Sequence, residues 1–264
     1  MSTQRIARLT AVVAVVGAVV LVAGACSHQR SAVLPGADDA GPPVVYVAVG
    51  ASESVGVGAD DPLRQAWTQV FYETALPKRT QFINLGIPGA TVADAISREL
   101  PQALTLAPTI VTVWLNVNDL TRLVSPDQYE KQLDDLVHQL RRGGGTRVLV
   151  ANTPPLDRLP AYVACLPNPP TGSPPCAING VARVLLPNAT VVNAAVAAYN
   201  DAVKRVVTKE GAVLVDLNAV GMQARADGRE PSLVGSDGFH PSTAGHAVVA
   251  KAFADALKSS GVVS

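Results

Sequence analysis

The sequence predicts one three-layer α/β/α domain, residues 44–264, built on a mostly parallel sheet. Two observations carry this. Short apolar, β-branched runs recur at Val44–Val49, Phe82–Ile87, Thr109–Leu115, Arg147–Ala151 and Ala212–Leu217, the pattern of strands buried on both faces. Between them lie stretches with apolar residues at helical spacing, and that alternation makes parallel sheets covered on both sides. A chain of 264 residues is long enough to bury a full core.

The first 26 residues are a targeting segment. Arg5 and Arg8 form a positive start, Ala11–Val22 is uninterrupted apolar chain, and Ala23-Gly24-Ala25 precede Cys26. The small residues before that cysteine resemble the bacterial lipobox, although Ala23 stands where Leu is preferred. The resemblance implies cleavage before Cys26, lipidation of its thiol and new amino group, and a membrane-anchored protein exported to the cell envelope. Ordinary signal cleavage with secretion, or an uncleaved anchor, are the alternatives. Residues 27–43, rich in Gly, Pro, Asp and Ser, read as a flexible tether.

The strand at Val44 is bounded by Gly41-Pro42-Pro43 and breaks at Gly50-Ala51-Ser52-Glu53-Ser54. A hydroxyl residue just past the carboxyl end of a strand sits where open α/β sheets place their chemistry; Ser is also a preferred helix cap. Pro62–Ala75 carries a helical stripe. Phe82–Ile87 runs into Pro88-Gly89-Ala90-Thr91. Val92–Leu104 is helical, with Pro101 able to kink or end it. Thr109–Leu115 ends in Asn116-Val117-Asn118-Asp119. The helix Ser125–Arg142 has Ser125 as cap, Pro126 at the first position and Asp127 in the first turn, and Gly143 to Gly145 stop it.

After the fourth strand the alternation stops. Pro154–Pro187 holds nine prolines, too many breakers for regular elements. It also holds Cys165 and Cys176, the pair left once Cys26 is set aside, and in an exported chain a Cys165–Cys176 disulfide is expected. No CxxC or HxxxH partner accompanies them, so no metal site is expected. Following a strand, this insertion should emerge on the active-site side, where Leu156, Leu159, Tyr162, Val163 and Leu166 are placed to wall a pocket for an acyl chain or a sugar; a surface excursion without such a role is the other reading. Val191–Thr208, Ala212–Leu217 and Ser242–Lys258 complete the pattern as helix, strand and helix. Lys and Arg balance Asp and Glu at 21 each, with no basic block, so nucleic-acid binding has no basis.

The last chemical signal is Ser236-Asp237-Gly238-Phe239-His240-Pro241-Ser242. Across a tight turn the carboxylate can hold one imidazole nitrogen and leave the other free as a base. Alone, Asp-x-x-His is a common coincidence.

Four blocks in one order carry more. Gly50-Ala51-Ser52-Glu53-Ser54, Asn84-Leu85-Gly86-Ile87-Pro88-Gly89, Asn116-Val117-Asn118-Asp119 and Asp237-Gly238-Phe239-His240-Pro241 resemble the SGNH (GDSL-type) hydrolases, a flavodoxin-like α/β/α fold, over most of residues 44–258. Two positions depart from the family pattern, Ala51 for Asp and Asn116 for Gly, and neither removes a catalytic atom. The resemblance implies an esterase or lipase-type hydrolase with Ser52 as nucleophile, His240 as base and Asp237 as acid. The oxyanion hole would be formed by the amides of Ser52 and Gly89 and the side chain of Asn118. Neither metal nor organic cofactor is required. Expected substrates are acyl esters of envelope glycans, lipids or small alcohols. A non-catalytic glycan- or lipid-binding lipoprotein on the same fold, and an acyltransferase using the same residues, are the competing readings. His246 lacks an acid at the right spacing, Ser54 reads as a turn residue, Trp114 as core, and His28 and His138 as surface.

Overall fold

The computed structural model describes residues 43–173, 176 and 186–261. The targeting segment, Cys26 and residues 27–42 of the tether lie outside these.

Five parallel strands make the sheet in the order β2-β1-β3-β4-β5: β1 (Val44–Gly50), β2 (Thr80–Asn84), β3 (Ile110–Trp114), β4 (Arg147–Ala151) and β5 (Val213–Val215). The chain goes outward from β1 to β2, then returns across β1 to β3. That reversal makes the carboxyl ends of β1 and β3 the crevice where such sheets bind ligands.

Strand periodicity divides the core in two. Val47 and Val49 of β1, Val111 and Val113 of β3, and Val148 and Val150 of β4 face one side. There they meet α3 (Val92–Arg98), α4 (Leu100–Thr105), α6 (Pro126–Arg141) and α8 (Ala189–Glu210). Tyr46, Ala48, Trp114, Leu149 and Ala151 face the other side, against α2 (Trp67–Ala75) and α10 (Thr243–Ser259). Buried on both faces, the strands read as continuous apolar runs without polar alternation. Tyr46 also bonds Thr112 Oγ1 at 3.0 Å, which satisfies two buried hydroxyls across β1 and β3.

Helix ends follow the chemistry that the sequence carries. Ser125 accepts from Gln128 N and Pro126 opens α6. Ser242 caps α10 by accepting from Gly245 N. Four stretches differ from expectation. The second strand spans Thr80–Asn84 and not Phe82–Ile87. Pro62–Ala75 is two helices, α1 (Pro62–Gln65) and α2, because Ala66 is extended at ψ 138°. Val92–Leu104 is also two, α3 and α4, with Pro101 inside the first turn of α4, where a missing N–H costs nothing. The expected strand Ala212–Leu217 is shorter, for Asp216 caps a helix, α9 (Leu217–Ala226), by accepting from Ala219 N. Two further short helices occupy stretches read as loop: α5 (Val117–Thr121), and α7 (Pro160–Val163) within the proline-rich insertion. Cys165 and Cys176 are disulfide-bonded.

Candidate active site

The turn that carries Ser52 is held from beneath. Gly50 N donates to Glu99 Oε2 at 2.8 Å, and Ser54 N and Val57 N donate to Ala51 O and Ser52 O. Gly50 must lack a side chain, because a Cβ there would stand 2.1 Å from the buried Ser54 Oγ. Glu99 is fully buried, and burial pushes its carboxyl up to about 8, so a neutral acid underlies the turn at neutral pH.

The His240 turn is knitted by Asp237. Its Oδ1 accepts from Phe239 N and His240 N at 2.9 and 3.0 Å, while Oδ2 faces His240 Nδ1 at 2.5 Å. Burial acts to raise the Asp237 carboxyl, but the hydrogen bonds from His240 and the two amides outweigh it and hold it below the ordinary range. Gly238 adopts φ +72°, and a Cβ there would stand 2.9 Å from Ala161 N. Ala161 N instead donates to Gly238 O at 3.0 Å, so α7 braces the turn.

These two turns meet. His240 Nε2 lies 2.9 Å from Ser52 Oγ. With Nδ1–H donated to the carboxylate, Nε2 is the acceptor for the serine proton. An acid, an imidazole and a hydroxyl in hydrogen-bonded line can make an alcohol oxygen nucleophilic.

The other two loops are laced together beside them. Asn118 Nδ2 donates to Ala90 O at 3.0 Å, which fixes the amide and leaves its second proton available. Gly89 adopts φ +79°, and its carbonyl accepts from Arg122 Nη2 at 2.8 Å. Thr91 and Asp94 form a capping box at the start of α3, and Arg122 Nη1 reaches Asp94 Oδ2 at 3.2 Å. Asp119, fully buried, receives Val92 N on both oxygens at 3.2 and 3.1 Å; burial raises its carboxyl to about 6. Among the described residues, the backbone N–H groups of Ser52 and Gly89 donate to no protein acceptor, the state an anion-binding pair requires.

A cavity opens behind His240, enclosing about 820 Å³ with its mouth included. Trp114, Leu156, Leu217, Phe239 and Val249 make it largely apolar. Leu156 and Leu159 of the insertion line it, but Tyr162, Val163 and Leu166 do not. Arg225 ties its walls together, reaching Asp157 at 3.0 Å and Glu230 at 2.7 Å.

The remaining sequence candidates fall elsewhere. His246 is fully buried between Trp67 N and Val57 O. Ser54 is fully buried, and Trp114 is a core residue whose edge also lines the cavity. His138 is surface-exposed against Glu210. Among the described residues, no group of three or more His, Cys, Asp or Glu stands close enough to hold a metal ion. Sequence reasoning gave no role to Arg122, Glu99 or Glu53. Only Glu53 had a local signal, a charged residue directly after the candidate nucleophile.

Comparison with known proteins agrees with this fold. Among curated proteins, none matches the chain in sequence. Solved structures do match its fold. A putative GDSL-like lipase from Parabacteroides merdae aligns at TM-score 0.61 and 15% identity, over 81% of this chain and 95% of its own. The lipase/acylhydrolase from Enterococcus faecalis aligns at 0.59 and 18%, over 82% and 96%. The psychrotrophic esterase EstA from Pseudoalteromonas, in a structure inhibited by monoethylphosphonate, aligns at 0.56 and 15%, over 81% and 97%. The model of the GDSL-like lipase/acylhydrolase family matches residues 48–248, a span that runs from within β1 through the Ser52 and His240 turns into the last helix, and to that family the chain belongs.

Proposed function

We propose that this protein is an exported serine esterase that cleaves carboxylic esters through an acyl-enzyme on Ser52. The observation that carries the reading is the continuous row from Asp237 through His240 to Ser52, at 2.5 and 2.9 Å.

In this mechanism His240 Nε2 takes the Ser52 proton as Oγ attacks the ester carbonyl. Asp237 keeps the imidazole in the tautomer that exposes Nε2 and stabilises the cation that forms. The carbonyl oxygen, now negative, is met by the amides of Ser52 and Gly89 and the free proton of Asn118. Donors fixed in place before reaction spend no energy reorganising, which is why each is worth so much. His240 then gives its proton to the departing alkoxide. Water, activated by the same imidazole, releases the acid. The apolar cavity beside His240 suits substrates with a hydrocarbon portion, as lipid or small acyl esters have.

The test compares the full chain with Ser52→Ala on chromogenic esters from acetyl to long acyl, together with labelling by a fluorophosphonate. Turnover and labelling that disappear in Ser52→Ala are the expected result; turnover that survives removes the assignment. The proposal includes anchoring through a lipidated Cys26. That part is tested by metabolic labelling with a fatty-acid analogue, expected to be lost in Cys26→Ser.

A further inference from the structure

Glu53 is the group that the mechanism above leaves unused. It is only 8% exposed, yet it lines the cavity together with His240. Its Oε2 lies 3.4 Å from Ser52 Oγ, a long contact. Ser52 has one hydroxyl proton, and the 2.9 Å bond commits that proton to His240. Among the described residues the Glu53 carboxyl otherwise meets its own backbone amide and the charge of His240. A carboxylate offers about four acceptor sites, so most of this group's hydrogen-bonding capacity is unmet.

The cavity does not supply the missing partner. Among the described residues no Lys or Arg lines it, and its other carboxylate, Glu230, is already occupied by Arg225. A nearly buried carboxyl with acceptor sites unfilled gains from a donor, and a ligand that supplies one gains what the site lacks. The direction from which that ligand comes is set by chemistry. His240 Nε2 must protonate the leaving alkoxide, so the alcohol half of the ester lies against His240. Glu53 borders the same space.

We propose that Glu53 determines specificity for the alcohol half of the substrate. It binds a free hydroxyl on the carbon adjacent to the one that bears the ester oxygen, so monoesters of polyols, such as acylated glycerol or sugars, are favoured over esters of simple alkyl alcohols. This rests on the esterase reading given above. A hydroxyl fits because it can donate to the ionised carboxyl or accept from the neutral one. An ammonium group fits only the ionised form, which burial disfavours.

The experiment uses three esters with a common acyl group: glycerol monobutyrate, propyl butyrate and butyrylcholine. The kcat/KM of each is measured for the full wild-type chain, Glu53→Gln and Glu53→Leu. The common acyl group makes deacylation identical, and ratios within one protein cancel any loss of active fraction. Intrinsic leaving-group differences cancel between wild type and variant. The glycerol-to-propyl ratio is expected to fall about 10-fold in Glu53→Leu and by less in Glu53→Gln, as loss of one hydrogen bond implies.

A ratio that moves less than 2-fold in both variants overturns the proposal. So does a wild type that prefers butyrylcholine, with that preference lost on substitution. A second measurement needs no variant: 1,2-propanediol should slow fluorophosphonate labelling of wild-type Ser52 more than 1-propanol does, and equal protection overturns the proposal. Ser52→Ala is run alongside. If it retains turnover the esterase reading fails; if it is inactive while the Glu53 ratios stay fixed, only this inference fails.

Discussion

His240 and His246 stand six residues apart, separated by the Ser242 cap, and their surroundings are opposite. His240 has Asp237 on one nitrogen and the Ser52 hydroxyl on the other. It can take a proton on Nε2 and keep both partners, because the carboxylate beside Nδ1 stabilises the cation. His246 accepts from Trp67 N through Nδ1 and donates to Val57 O through Nε2. A second proton on His246 would turn Nδ1 into a donor facing a donor. It is a buried joint between α10, α2 and the loop after Ser52. In the proposed mechanism the same side chain is thus a base or a fastener according to whether its neighbours accept a charge.

The largest effects test that contrast directly. His240→Gln should lower esterase turnover by about 10⁵- to 10⁶-fold, as expected where nucleophile and base act as a unit, with little change in thermal unfolding. His246→Gln should do the reverse: activity per folded molecule is retained, and stability falls by about 1–3 kcal/mol for the buried hydrogen bonds lost. Equal activity losses in the two variants would break the distinction. Asp237→Asn comes next, with a loss of about 10⁴-fold in kcat, because the amide can favour the wrong imidazole tautomer. Asn118→Ala should cost about 10²- to 10³-fold, read as kcat on a fixed acetyl or butyryl ester.

The two histidines also show what was legible in the sequence. Spacing was enough to prefer His240, since only it has an acid three residues before it. The strands were readable for a similar local reason: β1, β3 and β4 are apolar on both faces. Less legible was whatever depends on a distant partner. Nothing near Glu99 announces that its carboxyl reaches Gly50 N, and nothing near Arg122 announces that it spans Gly89 O and Asp94. The break at Ala66 and the helix after Asp216 were missed because tertiary packing and a single cap decided them over propensity. The Cys165–Cys176 bond needed only cysteine arithmetic. That α7, just before Cys165, braces the His240 turn through Ala161 N and Gly238 O needed the fold.

The smallest effect is the sharpest test of the contrast, since it reads charge without touching catalysis. Burial, the larger influence, outweighs the support of Val57 O and lowers the affinity of His246 for a proton below that of a free imidazole; the nearby His240 adds to the lowering. A group so depressed in the folded state contributes stability that is fully present above the unfolded value of about 6.5 and is lost as pH falls toward the folded one. Below about pH 6.5 the unfolded chain takes up this proton first, so stability should decline with acidification at up to about 1.4 kcal/mol per pH unit from this residue. His246→Gln, already less stable at neutral pH, should lose that share of the slope, so its curve and the wild type's converge between pH 6.5 and 5. Denaturant unfolding across that range measures it. Parallel curves would mean that His246 accepts its proton in the fold as readily as outside it, and the division of labour between the two histidines would then rest on geometry alone.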